Sequence, residues 1–350
     1  MTFDILGKLG YQSQVINFIP SEFADEVRLL GYEAAKHQFE AYHANSCPFN
    51  DFRQKHLSLT QCYYTYDALG AVNNEFDTFI TGSDQIWRGH IFNIDAYMFN
   101  WVFGKKRLIS YAASFGAGAF EAGMEASLGT QKLLSRFDAI SVREETGVAL
   151  CQDYFHTKAS CVLDPVLLLD NSDYAPIYQS HTPSMSNDYV AYMLLDQAEE
   201  ERIEQPQFLS QFKTRYPFVN ALLDENGKNR SFADWLGTLK HAKYVITNSF
   251  HGSVFCILFK KPFICIKRDD FGGNSRVENL FSNLGINPLL LIESLEHSDQ
   301  VEKYEIDYLA VYKRLDGLRE HSLRFLKDAL ACDASVKEKL KETALTEEEL

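Results

Sequence analysis

The chain has 350 residues, 46% hydrophobic and 13% aromatic, enough apolar material for two domains of ordinary size and unlike a disordered or fibrous composition. Its net charge of −14 excludes general nucleic-acid binding, which needs a basic face. An anionic small substrate is still allowed, provided that Lys and Arg gather locally. The first twenty residues carry no charged-then-apolar-then-small signal, and no run of about 18 apolar residues occurs. A cytoplasmic protein is expected, with at most peripheral membrane association. Seven cysteines (47, 62, 151, 161, 256, 265, 332) are scattered without a C-x-x-C pair, which favours reduced core thiols over disulfides or a metal site.

Along the chain, short apolar runs end in Gly, Ser, Asn or Asp clusters and give way to helical periodicity. They are Tyr11–Ile19, Asp77–Thr81, Arg107–Ala113, Asp138–Val142, Asp188–Leu195, Phe218–Leu223, Lys243–Thr247 and Pro262–Ile266. Runs apolar on both faces that alternate with helices predict parallel sheets in doubly wound α/β domains. In such sheets ligands bind beyond the carboxyl ends of strands, where the polar clusters fall. The division expected is an N-terminal α/β domain over 1–175 and a C-terminal one over 176–305, with a boundary in the Ser-, Pro- and Asn-rich stretch 171–187. A helix over about 306–332 should pack across both, with Leu309, Tyr312, Leu315, Leu318, Leu323, Leu326 and Leu330 near one period. An acidic tail, 333–350, should fray.

Five segments carry candidate chemistry. In Phe79-Ile80-Thr81-Gly82-Ser83-Asp84-Gln85-Ile86-Trp87 a strand enters a small-residue turn. Asp84 could orient a hydroxyl or accept its proton, and Trp87 could stack on a sugar; the alternative is a turn in which Asp84 caps the next helix. In Ser141-Val142-Arg143-Glu144-Glu145, Arg143 follows a buried strand and could clamp a carboxylate or phosphate, or pair with Glu144 or Glu145. Asp164-Pro165 closes Ala159–Leu163 and reads as a structural turn. In Thr247-Asn248-Ser249-Phe250-His251-Gly252, a strand meets a helix capped at Asn248-Ser249. The helix start favours a bound anion, Gly252 allows close approach, and His251 could donate a proton there or act as a polar cap. Lys267, Arg268 and Arg276 surround Phe271-Gly272-Gly273-Asn274, either an anion lid or a solvated basic loop. No Walker A, G-x-G-x-x-G, H-E-x-x-H or G-x-S-x-G pattern is present, and no metal-ligand spacing, so no metal is expected.

At these segments the chain resembles the polysaccharide pyruvyl transferase family. The matching pieces are Phe-Ile-Thr-Gly-Ser-Asp-Gln-Ile-Trp (79–87), Ser-Tyr-Ala-Ala-Ser-Phe-Gly (110–116), Ile-Ser-Val-Arg-Glu (140–144), Val-Leu-Asp-Pro (162–165) and Thr-Asn-Ser-Phe-His-Gly (247–252). In order they span about Leu6 to Leu290. The resemblance implies a two-domain fold similar to the GT-B glycosyltransferases, with the active site between domains. It also implies transfer of pyruvate from phosphoenolpyruvate to a sugar or lipid-linked oligosaccharide as a ketal, in surface polysaccharide biosynthesis and without a cofactor. His251 would be the proton donor with Asp84 as its catalytic companion. Ser83, Trp87, Arg143, Ser249, Gly252, Lys267, Arg268 and Arg276 would hold substrates.

Two departures stand out. The family often has Arg where this chain has Ser249, so another cation must hold the anion. Members also usually begin with a strand and an Asn-Tyr-Gly-Ala-like turn, whereas Met1–Gly10 looks like the end of the helix after that turn. Two rival readings are a glycosyltransferase of the same fold using a nucleotide sugar and a catalytically idle relative acting as a binding protein.

Overall fold

A computed structural model describes residues 2–18, 50–88, 94–116, 118–120, 124–179, 188–195, 216–268, 274–292 and 305–331. The acidic tail, Phe271–Gly273 and residues 180–187 of the expected boundary lie outside the described residues. The first element is a helix, Thr2–Lys8, in keeping with the expectation for Met1–Gly10.

The chain divides into two compact units. One joins Met1–Thr65 to Pro165–Asp316, and the other joins Tyr66–Asp164 to Gly317–Leu350. Each unit therefore draws on two separated stretches, unlike the consecutive division at 171–187 expected from composition. The first half of that stretch is helical, Asn171–Tyr178: the Asp173 carboxylate accepts the Asp170 N–H at 2.8 Å and so starts a helix within a loop-like composition.

The first unit holds the strands β1 (Val15–Phe18) and β2 (Leu59–Tyr63), which pair in parallel. It also holds a five-stranded parallel sheet of β7 (Val190–Met193), β8 (Phe218–Asn220), β9 (Tyr244–Thr247), β10 (Phe263–Ile266) and β11 (Leu291–Ile292). Its order is β11-β10-β9-β7-β8. β10 is buried at every position, as a strand covered on both faces must be. β7 has β8 on one side and β9 on the other, so the winding direction reverses between β7 and β9. In parallel α/β sheets, ligands bind beyond the carboxyl ends of the strands at such a reversal.

The second unit holds a four-stranded parallel sheet in sequential order: β3 (Thr78–Thr81), β4 (Arg107–Ala113), β5 (Ala139–Val142) and β6 (Ser160–Cys161). Parallel pairing delivers the loops after all four strands to one edge. Both units are thus α/β and Rossmann-like. Every strand expected from an apolar run contains an observed one. β2, β6 and β11 escape that reading, because β2 carries Thr60 and Gln61 and the other two have two residues each.

The last helix runs from Tyr308 to Ala331. In the first unit, Tyr308 donates to the Lys261 carbonyl and Tyr312 to the Leu258 carbonyl. In the second, Ser322 Oγ accepts the Leu163 N–H at 3.0 Å, and Phe325 lies 6.5 Å from the Tyr111 ring. Its buried residues include Val311, Leu315, Ser322, Leu326, Ala329 and Leu330. Leu309, counted in the apolar stripe, is instead 86% exposed, because Val311 rather than Leu309 faces inward at that end. No helix among the described residues is long and apolar enough to cross a membrane.

Candidate active site

The first cluster lies at the winding reversal of the five-stranded sheet. Thr247 ends β9, and its Oγ1 donates to the Met193 carbonyl at the end of β7, 2.9 Å away. The same oxygen accepts the Ser249 N–H at 3.0 Å. Asn248 reaches toward β7 as well: its Oδ1 accepts the Leu195 N–H at 2.9 Å. These bonds fix the β9-to-helix turn against the neighbouring strand. Ser249 then caps the helix Phe250–Leu258, with Oγ accepting the Gly252 N–H at 3.3 Å. The cap expected at Asn248-Ser249 is therefore Ser249, while Asn248 ties the two strand ends.

His251 occupies the first turn of that helix and is half-buried, its ring 5.3 Å from the Phe250 ring in an edge arrangement. The turn beside it is buried, with polar Thr247, Asn248, Ser249 and Ser253 next to apolar Phe250, Val254 and Phe255. Gly252 is required sterically: a Cβ there would press on Thr247 Oγ1 and stand 3.2 Å from Met193 Sδ. The helix N-terminus adds the positive end of its dipole beside His251.

Lys267 and Arg268 follow β10, the strand next to β9, and both are half-buried. Lys267 Nζ stands 3.7 Å from Glu278. Arg268 and Asn274 bind each other through both the Arg268 N–H and its carbonyl, at 2.8 and 2.9 Å. Arg276 is buried in the first turn of the helix Ser275–Leu284. Residues 269–273, between Arg268 and Asn274, lie outside the described residues.

The second cluster belongs to the other unit and gathers after β3, β4, β5 and β6. Gly82 and Asp84 take φ of 121° and 77°, which a glycine allows and an aspartate rarely adopts. A Cβ on Gly82 would run into the Tyr111 carbonyl of β4. Asp84 is hydrogen-bonded through its carbonyl to the Ser114 N–H at 3.0 Å, which pins the turn to the end of β4.

Arg143 is the centre of this cluster. Its Nη2 donates to Asp84 Oδ1 and its Nη1 to Asp164 Oδ2, each at 3.0 Å, and Glu144 lies 3.7 Å from its Nε. Ser83 Oγ donates to Asp164 at 2.6 Å, and Ser114 Oγ to Glu144 at 2.7 Å. The Arg143 side chain is 1% exposed. Burial works against its charge, but Asp164, Glu144 and Asp84 more than offset that and raise its pKa. Of the two readings of Arg143, pairing with neighbours describes what is seen. Its partners include Glu144 and two distant aspartates, Asp84 and Asp164. Asp164, expected as a simple turn residue, is an ionic partner within the cluster.

Trp87 departs from the expected sugar platform. It is fully buried, at 0%, with its ring against Phe115 at 5.5 Å and Phe137 at 5.8 Å. The Trp87 N–H donates to the Ser114 carbonyl, which folds the turn back and carries the indole into the core. Asp84 likewise caps no helix; Oδ1 accepts the Gln85 N–H at 2.8 Å as well as Arg143. Asp164 and Ser114 are the polar groups of the cluster whose part sequence reasoning missed, whereas Glu144 was expected as a partner of Arg143. A buried acid directly after a strand, as in Val-Leu-Asp-Pro, was the available signal. Among the described residues no group of three His, Cys, Asp or Glu is placed to hold a metal ion.

These features define a class first: a doubly wound α/β protein with a histidine-bearing helix start at a sheet reversal and a buried ionic cluster at a second sheet's edge. The sequence model of the family described as polysaccharide pyruvyl transferase matches residues 3–270, and the chain belongs to that family. No curated protein sequence matches the chain. Similar solved structures include the UDP-GlcNAc 2-epimerase from Methanocaldococcus jannaschii, 11% identical, with a TM-score of 0.45 over 74% of this chain and 82% of the epimerase. A sucrose-phosphate synthase from Thermosynechococcus elongatus is 12% identical, with a TM-score of 0.40 over 80% of this chain and 77% of the synthase. The α/β class follows from the chain's own parallel sheets.

Proposed function

We propose that the protein transfers pyruvate from phosphoenolpyruvate to two hydroxyls of a sugar, forming a ketal during surface polysaccharide synthesis in the cytoplasm. The reading is carried by His251, a half-buried imidazole at a helix start on the winding reversal of a parallel sheet, in a chain of this family. Protonation of the donor's methylene carbon by His251 creates an oxocarbenium-like centre at the enol carbon. A sugar hydroxyl attacks that carbon, its proton leaves with phosphate as the carbon–oxygen bond breaks, and a second hydroxyl closes the ketal and returns its proton to His251. The donor's anionic groups are assigned to the N-terminal end of Phe250–Leu258 and to Lys267, Arg268 and Arg276. These cations take the part that Arg plays in family members where this chain has Ser249. Asp84 is assigned to an acceptor hydroxyl, as a hydrogen-bond acceptor.

The test is incubation with phosphoenolpyruvate and candidate glycan acceptors, following phosphate release and ketal formation in wild type and His251→Ala. Turnover by wild type and a loss on the order of 100-fold or more in the variant are expected. Equal rates would remove His251 from the reaction. Thermal stabilisation by nucleotide sugars but not by phosphoenolpyruvate would favour the glycosyltransferase reading instead.

A further inference from the structure

The ionic cluster of the second unit has a hub that the reaction itself does not require. Asp164 lies just after β6, buried with 1% side-chain exposure, and a single oxygen of its carboxylate, Oδ2, receives two hydrogen bonds. One comes from Ser83 Oγ at 2.6 Å and the other from Arg143 Nη1 at 3.0 Å. Arg143 extends the connection through Nη2 to Asp84 Oδ1, again at 3.0 Å. Asp84, by contrast, is 63% exposed. A buried pair therefore reaches outward and holds both side chains of the Ser83-Asp84 turn, one through each arm.

That turn needs holding. Asp84 sits at φ 77°, in a region that costs a non-glycine residue free energy and persists only when its surroundings impose it. The Asp84 carbonyl is tied to the Ser114 N–H, and the Ser114 hydroxyl in turn to Glu144. The backbone is thus fixed from β4, and the side chains are fixed from Asp164 and Arg143.

The charges of the cluster indicate which substrate it serves. One guanidinium faces the three carboxylates of Asp84, Glu144 and Asp164, so these four groups carry one positive and three negative charges, a net of −2. A multiply charged donor brought to Arg143 would meet that excess, with Nη1 and Nη2 already turned to Asp164 and Asp84. A neutral sugar hydroxyl meets no such repulsion and finds an exposed carboxylate to accept its hydrogen bond.

We propose that Asp164 is a positioning residue, acting through Arg143 and Ser83 to hold the Asp84 carboxylate in place for an acceptor hydroxyl. The kinetic part of this assignment rests on the pyruvyl transfer proposed above; the structural part does not. The test uses the full-length protein with Asp164→Asn, which keeps the side chain's size and removes its charge, and with Ser83→Ala, which removes one arm alone. Two measurements are made on each variant. Amide exchange across residues 82–88, read by mass spectrometry, should accelerate in both, with exchange across β7, β9 and β10 unchanged. In turnover, kcat should fall on the order of 10- to 100-fold for Asp164→Asn and less for Ser83→Ala, with KM for phosphoenolpyruvate unchanged.

Wild-type exchange across 82–88 in the variants overturns the assignment, as does a raised donor KM at unchanged kcat, which would put the cluster on the donor. If wild type forms no ketal, the proposed reaction fails and the exchange measurement alone decides the positioning role. If Asp164→Asn loses its cooperative unfolding transition, Ser83→Ala decides in the same way.

Discussion

Gly252→Ala tests the packing of the His251 turn against the preference of a helix for alanine. Gly252 is the third residue of Phe250–Leu258, and alanine in a helix interior is favoured over glycine by about 1 kcal/mol. Propensity alone therefore predicts a more stable protein. The structure predicts the opposite. A Cβ at 252 would press on Thr247 Oγ1 and stand 3.1 Å from Thr247 Cβ and 3.2 Å from Met193 Sδ. Thr247 Oγ1 is held by two hydrogen bonds, to the Met193 carbonyl and from the Ser249 N–H, so it cannot swing aside without loosening them. Overpacking of this kind costs roughly 1–3 kcal/mol. The strained hydrogen bonds add about 1 kcal/mol, offsetting the helix gain. The expected result is a loss of about 1–3 kcal/mol, at roughly 2–4 °C of melting temperature for each kcal/mol in a unit of this size. Calorimetry on Gly252→Ala measures it, and Gly252→Ala combined with Thr247→Ala shows whether the oxygen is responsible. The alanine should cost less once Oγ1 is gone. A melting temperature above wild type in the single variant would refute the steric account of this turn.

Three further outcomes follow from the same geometry. Trp87→Ala should cost about 3–5 kcal/mol as a core cavity, while Trp87→Phe should be far milder, both read by chemical denaturation; equal and slight effects would return Trp87 to the surface. Ser249→Ala removes the cap on the Gly252 N–H and should cost about 1 kcal/mol by the same measurement, and no loss would show the cap to be dispensable. Burial pushes the Cys265 thiol up to about 12, and burial together with Glu144 does the same for Cys151. Between an ordinary thiol pKa of about 8.5 and that value, only the unfolded chain releases these protons, so stability should fall as pH rises through that window. Thiol labelling at pH 8 should accordingly reach Cys62 and Cys161 before Cys151, Cys256 and Cys265; rapid labelling of the latter three would contradict their burial.

The sequence by itself determined the α/β class, the places of the principal strands and the helix that carries His251 in its first turn. These are local properties. A run of β-branched and apolar residues, a capping serine and a helical period are each read within a few residues, and tertiary packing had no reason to override them. The ordered segments from Phe79 to Gly252 likewise carried the family. What the tertiary structure decided were the matters that depend on pairs far apart in the chain. Composition marked a domain boundary near 171–187, whereas contacts close each unit from two separated stretches. Trp87 looked like an exposed platform beside a polar turn, and a hydrogen bond to Ser114 folds it into the core. Arg143 had two open readings, and only the parallel order of β3 to β6 brings Asp84 and Asp164, 59 and 21 residues away, onto its guanidinium. Nor does any local pattern announce that Asn248 and Thr247 join the ends of β7 and β9, because strand neighbours follow from the winding of the sheet. His251 could be named from its own segment. Its place at a sheet reversal, and the cluster that holds Asp84, exist only once the strands are paired.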